Sequence, residues 1–261
     1  MSLEIVRAIG LVTIQDRGRP GRMHEALPPG GALVPELYRA ANTATGNAEG
    51  APAVEILGVL VVRALGEVAL ATEAGPRELH VGDELEVRAA PRRVTYLALR
   101  GGVAAPLVLG GRATQLSAGI GAKLRAGDAI TAGSWPSATS SSSSPNLAPG
   151  PVRVIAGPDH EAFPADAFEK LIAAGYRVSP SSDRVGTRLE GPAIERVASY
   201  TEVSRPMVCG AIEVPRDGAP IVLGPEHPST GGYPVIAVVA HADLGRMFAI
   251  APGDHVRFVA R

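Results

Sequence analysis

Pro252-Gly253-Asp254-His255-Val256-Arg257-Phe258 joins a tight turn to an alternating strand, and its reading sets the fold class of the whole chain. Gly253 permits the positive φ that a reversal needs, and Asp254 can accept from nearby backbone N–H groups. Val256 and Phe258 then fall on one face at period two. The same pattern occurs at Val81-Gly82-Asp83-Glu84-Leu85-Glu86-Val87 and at Ala126-Gly127-Asp128-Ala129-Ile130. Two of the three copies close a half of the chain, which suggests two related β-barrel-like units. Gly-Asp turns also serve any other β protein, so the repeat leaves both readings open.

Elsewhere in the chain, segments 3–9, 59–64, 84–88, 94–100, 152–156, 221–223, 235–239 and 255–259 are short, rich in Val, Ile and Leu, and bounded by Gly, Pro or Asp. These are strand signals. Helices are expected at 35–45, with Pro35 at the start and Gly46 just past the end, and at 165–174, where Phe168, Leu171 and Ile172 share a face before Gly175 as C-cap. A third, shorter helix is expected at 241–248. The fold class is mainly β with a few short helices. Residues 134–149 hold five serines at 140–144 among Pro136, Pro145 and Pro149, a composition suited to an exposed, flexible connection. The expected division is an N-terminal β-rich unit at 1–133, a Ser/Pro-rich linker at 134–150 and a C-terminal β-barrel-like unit at 151–261.

Composition narrows the function classes. The 261 residues carry 31 Gly, 23 Pro, 4% aromatics and a formal net charge of −1, which argues against long helical bundles and against nucleic-acid binding. Cys209 is the sole cysteine, so an internal disulfide and a cysteine zinc cluster are excluded and a reducing cytoplasm is expected. The longest apolar stretches, near 57–62 and 235–240, fall far below the ~20 residues of a membrane span. An unprocessed chain away from the membrane is expected.

The six histidines are scattered without metal-ligand spacing, so no metal is expected. Lys123 and Lys170 are the only lysines. Neither follows a phosphate-binding glycine loop, and neither lies between methionines as the lysine of a biotin carrier does, so no covalent biotin is expected on this chain. Cys209 reads as a packed thiol.

Three stretches are denser in polar residues than a β core requires. They are residues 13–21 with Gln15, Asp16, Arg17 and Arg19, followed by Pro28-Pro29-Gly30-Gly31-Ala32 and then Asn42 and Asn47; residues 178–192 with Ser182, Asp183, Arg184 and Arg188; and Gly210-Ala211-Ile212-Glu213-Val214-Pro215 with Ser229-Thr230-Gly231-Gly232-Tyr233-Pro234 after it. Glycines let backbone amides approach a ligand, and arginine forks can hold carboxylate or phosphate, which suits a small anionic substrate. The same residues also fit ion pairs, Asp16 with Arg19 and Asp183 with Arg184 and Arg188, that order loops.

Gln15-Asp16-x-Gly18-Arg19-x-Gly21, Gly31-Ala32, Asn42 with Gly46-Asn47, Gly110-Gly111-Arg112, Ser182-Asp183-Arg184-x-Gly186-x-Arg188-Leu189-x-Gly191 and Thr230-Gly231-Gly232-Tyr233-Pro234 follow one another in order. The chain thereby resembles the biotin-dependent carboxyltransferase-like family that includes the 5-oxoprolinase C subunit, the second subunit of allophanate hydrolase and the Kip antagonist. The resemblance implies cyclophilin-like β-barrel architecture and a partner resembling the 5-oxoprolinase B subunit or the Kip inhibitor, with an A-subunit-like protein as third member. It implies an ATP-dependent 5-oxoprolinase-type amidohydrolase component, inactive alone, with ATP at the partner or at a shared interface. The alternatives are a carboxyltransferase component of a biotin-dependent urea carboxylase system and a regulator that binds a Kip inhibitor-like protein.

Under this resemblance Arg184, Glu213 and Thr230 are the expected catalytic residues. Gln15, Arg19, Asn47, Arg188, Gly231, Gly232 and Tyr233 are expected to bind substrate, with Asp16 and Asp183 fixing the arginines from behind. Arg112 and Arg39 also fall at motif positions. The chain departs from the family pattern at Val34, where Asp is usual, at Glu213 for Gln, at Glu226 for Asp, at Pro228 and Ser229 within Asp-x-Gln-Thr-Thr, and at Val235 for Lys.

Overall fold

The computed structural model describes residues 1–138 and 147–261, so the serine run at 140–144 lies outside the described residues. The chain forms two compact units, Met1–Pro20 with Gly30–Asn146, and Gly21–Pro29 with Leu147–Arg261. Residues 21–29, which a division at 134–150 assigns to the first unit, cluster with the second. Residues 134–138 are not a free tether. Ala48 donates to the Pro136 carbonyl at 2.8 Å, Ala138 to Gly46 at 2.9 Å and Trp135 to Gly101 at 2.8 Å, so this segment is stitched onto the first unit.

The first unit is built on β1 (Ser2–Gln15), β2 (Ala53–Ala64), β3 (Val68–Thr72), β4 (Gly75–Leu79), β5 (Glu84–Arg88), β6 (Thr95–Leu99) and β7 (Ala129–Thr131), with helix α1 (Pro35–Ala44). The sheet order is β4-β3-β6-β2-β1-β7, and β5 pairs with β2. The sequence pattern halts its strands at Gly10 and Gly58, yet β1 and β2 run through both. The two glycines are direct partners in the antiparallel ladder. Both have positive φ, and a Cβ on either would lie about 2 Å from a carbonyl oxygen of the facing strand. A matched pair of kinks therefore lets a long, twisted ladder continue where one glycine alone reads as a stop. Leu3, Ile5, Val12, Val54, Ile56, Leu60, Leu70, Leu97 and Leu99 form the core. Leu37, Tyr38 and Ala41 are the buried apolar positions of α1.

The second unit contains β8 (Val152–Ala156), α2 (Ala167–Ala173), β9 (Gly175–Val178), β10 (Gly186–Glu190), β11 (Arg205–Pro206), β12 (Ala211–Glu213), β13 (Ile221–Leu223), β14 (Thr230–Gly231), β15 (Val235–Val239), α3 (Leu244–Ala249) and β16 (His255–Ala260). Seven strands close a barrel in the order β10-β13-β12-β15-β8-β16-β9. Thr187, Leu189, Val222, Ile212, Ala237, Val154, Tyr176, Val256 and Phe258 are buried at alternating positions and line its interior. Gly175 does not cap α2: Ala174 ends the helix in an extended conformation and Gly175 opens β9. Residues 241–243 form a 3-10 turn ahead of α3. Among the described residues no helix is long and apolar enough to cross a membrane.

Asp243, in that turn, fastens the barrel. Its carboxylate is buried and accepts from the Arg153 backbone amide and from Nε and Nη2 of Arg153, each at 2.8 Å. These bonds hold its pKa down to about 2 from 3.8. A depressed folded-state pKa means that the stabilisation is complete above the unfolded value and is lost as pH falls from about 4 through about 2. Asp243→Asn is expected to lose about 2 kcal/mol at neutral pH and to show a flatter stability profile below pH 4, read from urea midpoints between pH 7 and pH 2.

Candidate functional site

In the first unit the expected site residues are engaged internally. Asp16, at the end of β1, accepts from the Gly18 amide at 2.7 Å and the Arg112 amide at 2.6 Å, so it fixes two loops through their backbones. Arg19 does not offer its fork to solvent. It is buried and donates to the carbonyls of Val108 at 2.8 Å, Ala113 at 2.9 Å and Gly111 at 3.1 Å. Asn47 donates to Asn42 Oδ1 at 2.9 Å and the Leu99 carbonyl at 2.8 Å, and accepts from the Gly101 amide at 2.8 Å. Gln15 is buried and donates to Thr13 Oγ1 and the Thr114 carbonyl, while its Oε1 has no hydrogen-bond partner among the described residues.

At Val34, where the resemblance expects Asp, the amide donates to the Tyr96 hydroxyl at 3.0 Å. That hydroxyl donates at 2.7 Å to Glu55, which also accepts from the Leu33 amide at 2.8 Å. Glu55 is fully buried, and no sequence motif singles it out.

In the second unit the expected residues converge on the barrel wall formed by β10, β13, β12 and β15. Arg188 and Glu213 both pair in register with Ile221, so all three side chains share one face. That face is the outer one, because the alternate residues Thr187, Val222 and Ile212 fill the interior. Met207, Ala211, Leu223 and Val235 pack there as an apolar patch. The short ladder of β11 with β14 carries Thr230 and Gly231, and a Cβ on Gly231 would lie 2.6 Å from Met207 Cε. Asp159, another buried carboxylate without a sequence signal, braces this cover. It accepts from the Val235 amide at 2.8 Å and the Tyr200 hydroxyl at 3.2 Å, and pairs with Arg205. Thr230 and Tyr233 are exposed and Gly232 is half-buried.

Glu213 is the chemically unusual group. Its side chain is buried, and among the described residues no hydrogen bond or ion pair reaches its carboxylate. Burial pushes its pKa up, opposed by the positive charge of Arg188. Its cross-strand neighbour Val235 supplies no charge where the resemblance expects a lysine.

Arg184 behaves differently. It is buried, its Nε donates to Glu226 Oε1 at 2.7 Å, and the Glu226 amide donates back to the Arg184 carbonyl at 3.1 Å. The Glu226 departure thus keeps a carboxylate for this arginine. Asp183 accepts from the amides of Val185 at 2.9 Å and Gly186 at 3.0 Å and shapes the turn into β10. His227, beside Glu226, carries no signal in the sequence beyond being one of the scattered histidines. It is buried, its Nδ1 lies 2.8 Å from the Pro228 carbonyl, and burial lowers its pKa. A carbonyl only accepts, so Nδ1 carries the proton and Nε2 keeps a lone pair. Burial pushes the Cys209 thiol up to about 12, which leaves no thiolate nucleophile at neutral pH. Among the described residues no group of three or more His, Cys, Asp or Glu could hold a metal ion.

A closed seven-stranded barrel with a buried acid and an arginine on one outer face, beside an exposed Thr-Gly-Gly-Tyr turn, makes this a mainly β protein with its candidate site on the barrel wall. Residues 26–260 match the carboxyltransferase domain family, subdomain A and B, and the chain belongs to that family. It is 31% identical over 280 residues to the 5-oxoprolinase C subunit of Escherichia coli K12, covering 98% of this chain and 90% of that protein. A 28% identity to the 5-oxoprolinase C subunit of Haemophilus influenzae covers 99% and 91%. The crystal structure of the K. lactis urea amidolyase superposes with a TM-score of 0.89 at 26% identity over 99% of this chain, which spans 18% of that larger protein.

Proposed function

We propose that this chain is the C-type subunit of an ATP-dependent amidohydrolase that opens a small cyclic amide of the 5-oxoproline type, working with a B-subunit-like partner and an A-subunit-like protein. The observation that carries the reading is the end-to-end likeness to the 5-oxoprolinase C subunit, which extends over nine-tenths of that relative. The chemistry of Glu213 and Arg188 supports it.

Ring opening adds water across a resonance-stabilised C–N bond: hydroxide goes to the carbonyl carbon and a proton to the departing nitrogen. A carboxyl whose pKa is raised by burial is suited to deliver that proton, and the Arg188 guanidinium on the same barrel face stabilises the anion that develops or holds the substrate carboxylate. Thr230 and Tyr233, exposed at the rim, orient the ring.

The glycine turn at 30–31 does not suit a nucleotide phosphate. The amides of Ala32, Leu33 and Val34 that follow it are already bonded to the Asp16 carbonyl, Glu55 and the Tyr96 hydroxyl. In this reading ATP is handled at the partner or at a shared interface, and no step on this chain passes through it.

The test is 5-oxoproline-dependent ATP hydrolysis with glutamate formation by the purified assembly of all three proteins. The isolated chain is expected to be inactive. An intact assembly without substrate-dependent turnover rejects the reading.

The likeness to urea amidolyase favours a second reading, carboxyl transfer from biotin carried on another protein. Lys170 sits within α2, ion-paired to Asp166 at 3.0 Å, a poor place for a swinging biotin. Carbon dioxide fixation that stops when biotinylated carrier is withdrawn would select this second reading.

A further inference from the structure

We propose that the groove along α1 in the first unit is a separate binding site for a small monocarboxylate, whose carboxylate replaces Glu49 between Arg17 and Arg39. Two adjoining cavities of about 290 and 360 Å3 open on this groove, and both have Tyr38, Arg39 and Glu49 in their walls. These volumes suit a molecule of amino-acid size. Glu49 Oε1 lies 2.5 Å from Arg17 Nη2 and 3.5 Å from Arg39 Nε, so one carboxylate of the chain already occupies a two-guanidinium clamp.

All three side chains are more than half exposed, at 57%, 55% and 60% for Arg17, Arg39 and Glu49. An ion pair this exposed contributes little stability, so a free carboxylate of the same chemistry exchanges with it at low cost. The clamp is nevertheless pre-positioned. A Cβ placed on Gly50 would sit 3.4 Å from Arg17 Nε and 3.7 Å from the Trp135 ring, ordinary contact distances, so the arginine stem runs alongside Gly50, whose φ of +93° sets the path of the backbone there. Arg39 is carried on α1. The Tyr38 ring is fixed by its hydroxyl, which donates to the Ala51 carbonyl at 2.7 Å, and by edge contact with Tyr96 at 5.9 Å between centroids.

Charge selects the ligand. Arg17 and Arg39 face Glu49 and Asp16 in the walls of the smaller cavity. Asp16 is held in place by the Gly18 and Arg112 amides, so only Glu49 is free to swing away. Its departure leaves one uncompensated positive charge, which a monoanion neutralises and a phosphate dianion overshoots. This site is independent of the proposed ring-opening reaction and needs no partner.

The experiment is calorimetric titration of the purified full chain with acetate and with 5-oxoproline, using the uncharged amide of 5-oxoproline and inorganic phosphate as comparisons. Arg39→Ala is expected to weaken carboxylate binding about tenfold, the worth of one charge-assisted hydrogen bond, and Glu49→Ala to tighten it. Arg177→Ala, which removes an exposed arginine of the second unit outside both sites, is expected to leave acetate binding unchanged. The proposal is overturned if neither carboxylate saturates the wild type and Glu49→Ala, if the amide or phosphate binds as tightly as the acids, or if Arg188→Ala rather than Arg39→Ala abolishes binding. Circular dichroism of these surface variants checks that the fold is kept. Turnover by the three-protein assembly is a different measurement, so failure here and failure of the ring-opening reading remain distinguishable.

Discussion

Arg184→Ala is expected to cost the second unit about 3–5 kcal/mol of stability, the usual penalty for removing one partner of a buried ion pair. The reason lies in what the substitution leaves behind. Glu226 is buried, its Oε1 takes the Arg184 Nε at 2.7 Å, and alanine would strand that carboxylate in a site with little water. The two residues are also joined through the Glu226 amide and the Arg184 carbonyl, so the turn entering β10 and the turn leaving β13 would loosen together. Urea unfolding followed by circular dichroism measures the loss. Arg184→Met combined with Glu226→Leu removes both charges and should recover most of it, as hydrophobic replacement of a complete buried pair often does. An unchanged midpoint with a raised KM in the assembled enzyme would instead return Arg184 to direct substrate contact.

In the proposed three-protein amidohydrolase, Glu213→Gln is expected to lower kcat by about two to four orders of magnitude, the range for loss of a general acid or base. The amide keeps the shape of the side chain and removes the transferable proton. Because burial raises the pKa of Glu213, the wild-type rate should fall as pH rises through that raised value, and this limb should be missing from the residual activity of the variant. Stability gives a second readout of opposite sign. A carboxyl whose folded-state pKa lies above 4.5 binds its proton more tightly when folded, so ionisation costs stability as pH rises through the folded value. At pH 7 the glutamine variant should therefore unfold at an equal or higher urea concentration than the wild type. Full turnover in Glu213→Gln would remove this residue from the chemistry.

Much of the architecture is legible from local pattern. In the three Gly-Asp turns, Gly82, Gly127 and Gly253 have φ of 89°, 89° and 93°, and Asp83 and Asp128 accept backbone amides at 2.8 and 2.7 Å. Turn chemistry of this kind depends on neighbours in the chain, which a sequence displays directly. The start of α1 at Pro35 and the left-handed Gly46 just beyond it are legible for the same reason. The ends of β1 and β2 are not, because whether a glycine stops a strand depends on what faces it across the sheet.

The site divides in the same way. Residue types and their order mark the loops and the family, and they place arginines where anions could bind. They do not say where each guanidinium goes. Arg19 is turned inward onto three carbonyls, Arg184 is closed by Glu226, Arg39 shares Glu49 with Arg17, and Arg188 shares an outer barrel face with Glu213 across Ile221. These four similar residues acquire different roles because the partner of a long, flexible side chain is set by strand register and loop closure, over separations as large as the 94 residues between Arg19 and Ala113. Residue order alone establishes a mainly β chain, its turn chemistry and its place in a carboxyltransferase family. Which charges are neutralised internally and which are left able to act is settled by the folded arrangement, because burial and pairing arise when distant segments close on one another.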